Sequence, residues 1–309
     1  MSTQDIYAMI EQNVISQLEN GIIPWKRCYH VHEHSVCVSH STGRMYSLLN
    51  QMILGEPGEY WTFNQARSAG YSIRKGSHAR KVVFWKVLNV ENGSVREKGD
   101  GTFVEDTAQV PFLRWYNVFH ESDVDGLPVK YADNLTDEER ARKNAESIQV
   151  AENVISDYLA ANKQISVLWR PNAIPSFSPS DKVISMPQKC QFDTLPEYYS
   201  AFFHEMVHST KEACGRKQSN GRRSNDYARE ELVAEIGAAF LCGYCGINEE
   251  DVIKNNSSYC VNWLGRLRNN IQDLVWASGK AEKAAKHILG DKATEIFGEP
   301  KELAMGGMI

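Results

Sequence analysis

The sequence predicts an α+β protein of two domains, a mixed α/β N-terminal domain and a mostly helical C-terminal one. Its 309 residues are 42% hydrophobic, enough to bury more than one core, and chains of this size usually divide. The chain also changes character midway. Residues 21–130 carry aromatic and β-branched residues in short runs, such as 81–90, bounded by glycines and polar turns. Helical periodicity dominates after about residue 145.

The first 20 residues read as a helix capped by Ser2 or Thr3, with Ile6, Ile10, Val14, Ile15 and Leu18 at helical spacing. Strands mixed with short helices follow. Between residues 126 and 144 the pattern breaks into Gly-Leu-Pro and a charged stretch, in which Thr136 and Glu139 form a capping box opening the next helix. The expected division is therefore 1–128, a linker and helix start at 129–145, and 146–309. Residues 166–187 interrupt the second domain with short strand-like runs around the turn Ser178-Pro179-Ser180-Asp181. No internal repeat or low-complexity tract is present.

A net charge of −5 excludes a wholly basic nucleic-acid binder but not a local basic patch. The segment Met1-Ser2-Thr3-Gln4-Asp5 lacks a basic region followed by an apolar stretch, and no apolar run approaches the roughly 18 residues of a membrane span. A soluble, cytoplasmic protein with no membrane partner is expected. Seven cysteines, at 28, 37, 190, 214, 242, 245 and 260, show no secreted-scaffold spacing, so reduced thiols are expected. Cys242 and Cys245 lack a second pair at zinc-ribbon spacing and read as packed, unligated side chains.

Thr194 and Glu197 make a second capping box, with Pro196 in the first turn, so a helix should run from about residue 195 to 214 and stop at Gly215. On it His204 and His208 stand one turn apart and project from one face toward one ion. With Glu205 they form an HExxH pattern. That pattern assigns the histidines as metal ligands and Glu205 as the general base that takes a proton from activated water and passes it to a leaving amine.

Three fixed positions recur by chance, so the assignment needs support from the next helix of the chain. Residues 224–235 open with capping residues and continue as a helix through Phe240, with Ala228, Leu232, Ile236 and Phe240 as its core stripe. Tyr227, Glu231 and Glu235 form a neighbouring stripe, placing two carboxylates on one face 23 and 27 residues after His208. A His₂Glu zinc site needs one such carboxylate. The run Glu231-x-x-Ala234-Glu235 resembles the ExxA[DE] element of the gluzincins. That resemblance implies Glu231 as third ligand and Glu235 as the acid supporting a ligand histidine, with Glu230 the alternative ligand. Zinc is the expected metal, manganese the alternative. In zincins an edge strand lies over the metal and pairs with the substrate backbone; residues 181–187 are the candidate, against a plain core strand.

Residues 61–90 hold Arg67, Arg74, Lys75, Arg80, Lys81 and Lys86 and no acid, a local charge of +6, interleaved with Trp61, Phe63, Tyr71, Phe84 and Trp85. Bases along a phosphate backbone, with rings for stacking, hold single-stranded nucleic acid without sequence preference. Composition alone equally describes a strand core with a solvated basic surface. The stretches Pro24-Trp25-Lys26, Thr42-Gly43-Arg44-Met45-Tyr46, Trp61-Thr62-Phe63-Asn64-Gln65-Ala66, Arg74-Lys75-Gly76, Val83-Phe84-Trp85-Lys86 and Tyr116-Asn117-Val118-Phe119 resemble the N-terminal domain of ArdC-type antirestriction proteins, a domain also found in a conjugative-plasmid primase. The order continues through Ser178-Pro179-Ser180-Asp181, Met186-Pro187, the HExxH and residues 227–241.

This resemblance implies a single-stranded-DNA-binding domain joined to a zincin-like metallopeptidase domain, on a mobile element, shielding incoming DNA from restriction. The expected DNA contacts are Arg44, Arg74, Lys75, Arg80 and Lys81, with Trp61 and Tyr71 as stacking rings. A peptidase cleaving a host protein, with the basic domain as its targeting module, is the alternative; a DNA shield with a purely structural metal is a third reading. The chain departs from the family pattern in Ser77-His78, after the Arg-Lys-Gly turn. His30, His32 and His34 are read as a solvated strand or loop face rather than a second metal site.

Overall fold

The helical period at the N-terminus produces α1 (Thr3–Glu19), which buries Ile6, Ile10, Val14 and Leu18 along one stripe. The computed structural model describes residues 3–26, 36–91, 94–95, 108–127, 137–216, 224–247, 257–268 and 270–298. His30, His32, His34, the Thr136 cap and most of the expected linker's start lie outside them.

After α1 a short 3-10 turn (Pro24–Lys26) leads to β1 (Cys37–Ser39), α2 (Leu48–Leu54), β2 (Gly58–Trp61), α3 (Phe63–Ser68), β3 (Ser72–Ile73), β4 (Arg80–Glu91), β5 (Ser94–Val95), β6 (Ala108–His120) and β7 (Val124–Asp125). Five of these strands form one sheet in the order β1-β2-β6-β4-β5. Its centre is the long antiparallel β4–β6 ladder, paired from Arg80↔Val118 to Val90↔Ala108.

Helix α2 closes two open strand edges with buried amides. Asn50 donates to the Val83 carbonyl at 2.7 Å and accepts from the Val83 N–H at 2.8 Å. Gln51 does the same for Cys37, at 2.8 Å each way, and also donates to the Tyr46 carbonyl at 3.0 Å. Side chains thus satisfy backbone groups that a further strand would otherwise have to pair.

The second half comprises α4 (Asp137–Ala161), β8 (Ser166–Trp169), β9 (Ser176–Ser178), β10 (Val183–Met186), α5 (Leu195–Ser209), α6 (Asn225–Cys245), α7 (Ser257–Leu267), α8 (Ile271–Leu289) and α9 (Lys292–Phe297). Its strands form a sheet in the order β8-β10-β9. The run expected to be an edge strand is therefore the central one: β10 is flanked on both sides and buries Ile184 and Met186 completely. β9, antiparallel to β10, takes the edge beside α5.

The two-domain α+β fold does not have two separate cores. Ile6, Ile10, Trp25, Leu48, Val83 and Leu113 from the first half belong to the same buried cluster as Phe202, Phe203, Phe240 and Leu274 from the second. Trp25, fully buried, meets Trp263 edge-on at 5.5 Å. A smaller cluster around Tyr60, Val82 and Val118 belongs to the first half alone. Cys242 and Cys245 are buried in the shared core, as packed thiols should be. Among the described residues no helix is long and apolar enough to cross a membrane.

Helix α6 is buried on nearly all sides beyond Leu232. It meets α5 tightly at Gly237, where an added Cβ would lie 2.8 Å from Val207 Cγ2. Val207 is itself fully buried and β-branched, so it has little room to yield. Gly237→Ala should therefore cost about 1–3 kcal/mol in chemical denaturation despite the better helix propensity of alanine. Gly279→Ala in α8, where a Cβ would meet nothing within 4 Å, should instead stabilise by about 0.5–1 kcal/mol. Equal effects of the two substitutions would show that the crossing is not tight.

Candidate functional site

Thr194 caps α5 by accepting from the Glu197 N–H at 3.3 Å, with Pro196 in the first turn. The helix ends at Ser209, five residues before the expected stop. Its last carbonyls find other donors: Thr210 Oγ1 bonds to the Val207 carbonyl at 2.7 Å, and Arg216 Nη2 donates to the same oxygen at 2.7 Å. The chain then turns at Gly215, whose φ of 67° is left-handed. Ser224 caps α6 by accepting from the Tyr227 N–H at 3.1 Å.

The crossing of these helices brings His204, His208 and Glu231 together. The three residues form a triangle in which each ring faces a different oxygen of Glu231: Nε2 to Nε2 is 3.1 Å, His204 Nε2 to Oε2 is 3.4 Å, and His208 Nε2 to Oε1 is 3.6 Å. Donors placed tetrahedrally about 2.0–2.1 Å from one ion stand about 3.4 Å apart. The donor set therefore fits a divalent cation of His₂Glu type. These three residues are the group of acids, imidazoles or thiols among the described residues with metal-binding separation.

Electrostatics favour a cation at this point. Burial alone would lower the pKa of His204, but its hydrogen bond to Glu231 and the charges of Glu235, Glu205 and Glu231 outweigh that and raise it. Burial would raise the Glu231 carboxyl, yet the His204 hydrogen bond and both imidazole charges leave it lowered; Tyr227, one turn earlier, also bonds to it. Glu205 goes the other way. Burial pushes it above its ordinary value against the pull of both histidines, and it accepts a bond from the backbone of Phe177 in β9. It is not one of the three donors, which suits a base rather than a ligand.

Glu230 sits differently from its expected place as an alternative ligand. Glu230 Oε1 lies 3.3 Å from His208 Nδ1, so Glu230 is neither exposed nor a ligand but the acid behind that histidine. Arg216 grips Glu230 through two bonds of 3.0 Å. Burial would raise the Glu230 carboxyl, but these bonds leave it lowered. Glu235 acts on His204 through its charge and lines a cavity of about 240 Å³ with Glu205, Glu197, Ser200, Pro175 and Lys26. Lys26, from the first half, is a wall residue that sequence reading missed, and only the shared core places it there.

The expected DNA contacts do not form one group. Trp61 is 4% exposed, stacked on His40 and edge-on to Tyr71, so it cannot serve as a stacking platform. Arg80 bonds to Tyr60 Oη at 2.7 Å and pairs with Glu56, which ties it into the sheet. Arg44 lies against Gly298, just past α9. Arg74 pairs with Asp125 at 3.1 Å on the surface, Lys75 is exposed beside it, and Lys81 Nζ lies 5.4 Å over the Trp115 ring. Tyr71 is 36% exposed. Exposed rings on the β4–β6 ladder are instead Phe84 and Tyr116, 5.8 Å apart on one face with Arg114 opposite Phe84, and Trp85 on the other face; Phe63, at the start of α3, is exposed as well. Alternation along the strands could have paired these residues but not told which rings the core leaves uncovered.

Comparison with known proteins bears on both halves. Residues 4–119 match the family described as the N-terminal domain of anti-restriction factor ArdC, and residues 155–280 match a zincin-like metallopeptidase family. Among curated proteins, a DNA primase TraC of Escherichia coli is 24% identical over 306 residues, covering 94% of this chain and 27% of the primase. The chain thus spans about a quarter of that relative's length, and 20% of a second TraC primase. An uncharacterized protein y4eC of Sinorhizobium fredii is 24% identical over 294 residues, covering 91% of this chain and 90% of that one. The metal-free crystal structure of the antirestriction ArdC protein from the R388 plasmid has a TM-score of 0.66 at 25% identity, over 94% of this chain and 99% of that one. The Mn(II)-bound structure of the same protein gives 0.65 at 24%, over 91% and 96%.

Metal analysis tests the triangle directly. Purified protein should carry about one divalent metal per chain; His204→Ala, His208→Ala and Glu231→Ala should each lower occupancy sharply, and Glu205→Gln should not. Full occupancy in Glu231→Ala would remove Glu231 from the donor set.

Proposed function

The chain is an ArdC-type protein, an ArdC N-terminal domain followed by a zincin-like metallopeptidase domain, and from that premise we propose that it protects DNA entering a cell from restriction. In this reading its N-terminal half binds single-stranded DNA, and His204, His208 and Glu231 hold one divalent metal. The donor triangle of 3.1, 3.4 and 3.6 Å is the observation that carries the metal site. Zinc is the ordinary occupant of a His₂Glu set; manganese is the alternative, and the ArdC protein of R388 has been crystallised with Mn(II).

A divalent cation held by His204, His208 and Glu231 would supply Lewis acidity and make a nearby water more acidic. Glu205, beside these residues and raised above its ordinary value by burial, is placed to take a proton from water and return it to a leaving amine. The outer edge of β9 offers backbone pairing to an extended chain, and its Phe177 already bonds to Glu205. That pairing favours a second reading, in which the site cleaves a host protein.

DNA binding rests on the rings the fold leaves exposed. Phe84 and Tyr116 with Arg114 on one face, and Trp85 with Lys81 on the other, combine stacking surface with positive charge. Arg74 and Lys75 add charge on a neighbouring turn.

Transfer of unmodified DNA into a restricting host separates the two readings. The Glu205→Ala protein, at matched expression, should protect as the natural chain does. Replacing Phe84 and Tyr116 by alanine should weaken single-stranded-DNA binding by about 1–3 kcal/mol per stacked base, with the remaining affinity falling as salt rises, and should abolish protection. Loss of protection in Glu205→Ala with DNA binding intact would make proteolysis the function.

A further inference from the structure

A histidine that gives one ring nitrogen to a metal must place its other N–H on an acceptor, or the ring is free to rotate out of register. For His208 the acceptor is Glu230, whose Oε1 lies 3.3 Å from Nδ1. Glu230 is itself 4% exposed, and a buried carboxylate keeps its charge and orientation only if other groups satisfy it. Arg216 does so with two parallel bonds of 3.0 Å, the planar fork that a guanidinium matches to a carboxylate. Lys211 Nζ stands farther off, at 4.0 Å.

Arg216 is in turn fixed. Its side chain is 1% exposed and donates to the Val207 carbonyl at 2.7 Å and to Thr210 Oγ1 at 3.0 Å, both at the end of α5. The turn that delivers it depends on left-handed Gly215 and is pinned to α8 by Lys283, whose Nζ donates to the Cys214 carbonyl at 3.1 Å. The path from His208 to Glu230, Arg216 and Val207 therefore returns to the helix that carries His208. The imidazole is oriented against its own helix rather than against a mobile group.

We infer that Arg216 is a positioning residue of the metal centre, acting on His208 through Glu230. It also decides between two adjacent acids: by occupying Glu230 on both oxygens it leaves Glu231 as the carboxylate that faces the two Nε2 atoms. The inference rests on the reading of His204, His208 and Glu231 as metal ligands.

The test uses the full chain, stripped of metal and titrated with Zn(II) against a chromophoric chelator. Arg216→Lys keeps the charge but not the fork, and Glu230→Gln keeps the shape but not the charge. Each should weaken Zn(II) binding about 10–100-fold and alter the visible spectrum of the Co(II)-loaded protein, with the double variant no weaker than either single one. Asp273→Asn removes a comparably buried carboxylate, paired with Arg229 at 2.6 Å outside the metal site; it should lower the melting temperature and leave Zn(II) affinity unchanged. Folded Arg216→Lys and Glu230→Gln proteins that bind Zn(II) within about twofold of the natural chain would overturn the positioning role, as would effects that multiply in the double variant. If His208→Ala also retains full affinity, the ligand assignment itself fails, which is a separate result.

Discussion

The close crossing of α5 and α6 at Gly237 is the contact on which the rest of this site depends. A hydrogen in place of a side chain lets Val207 rest on the α6 backbone, and Val207 immediately precedes the candidate ligand His208. Only at that separation can glutamates on α6 come within 3.3–3.6 Å of imidazoles on α5. Phe202, Phe203 and Met206 of α5 and Leu232, Ile236 and Phe240 of α6 are buried, so the approach is held by apolar packing around it.

Packing two helices this closely concentrates charge. Glu205, Glu230, Glu231 and Glu235 all stand near two histidines, an arrangement that would repel itself without cations. Arg216 neutralises Glu230 inside the protein, and Lys26 lines the cavity beside Glu197 and Glu235. What remains is a negative focus at the Nε2 atoms, the same field that raises the pKa of His204 and that a divalent ion would satisfy. The candidate cation site and the raised Glu205 carboxyl kept apart from it thus arise from one distribution of buried acids.

The N-terminal half is physically continuous with this site. Helix α1 and Trp25 fill the same core as α6 and α8, and the turn carrying Trp25 ends at Lys26 in the wall of the cavity. The two faces of the β4–β6 ladder divide accordingly: Val83 and Leu113 turn into that core, while Phe84 and Tyr116 stand out on the opposite face. The exposed rings of the ladder and the candidate metal cleft are therefore built on one body, although different family patterns cover them.

Features set by short-range rules could be read without the structure. The caps at Thr194 and Ser224, the i, i+4 pairing of His204 with His208, and the face shared by Tyr227 and Glu231 follow from helical geometry within a few residues, and they stand as expected. The sequence alone also determined the strands between 166 and 187 and the stripe of α1. Tertiary structure decided what depends on distant partners: that β9 rather than β10 is the edge, that Arg216 claims Glu230, that α5 stops at Ser209, and that Trp61 is buried while Phe84 is not. Each of these turns on which surface another element covers. A strand with aromatic residues on both faces, or a helix with two neighbouring acids, carries the same local pattern whichever side is buried, so only the packed chain resolves it.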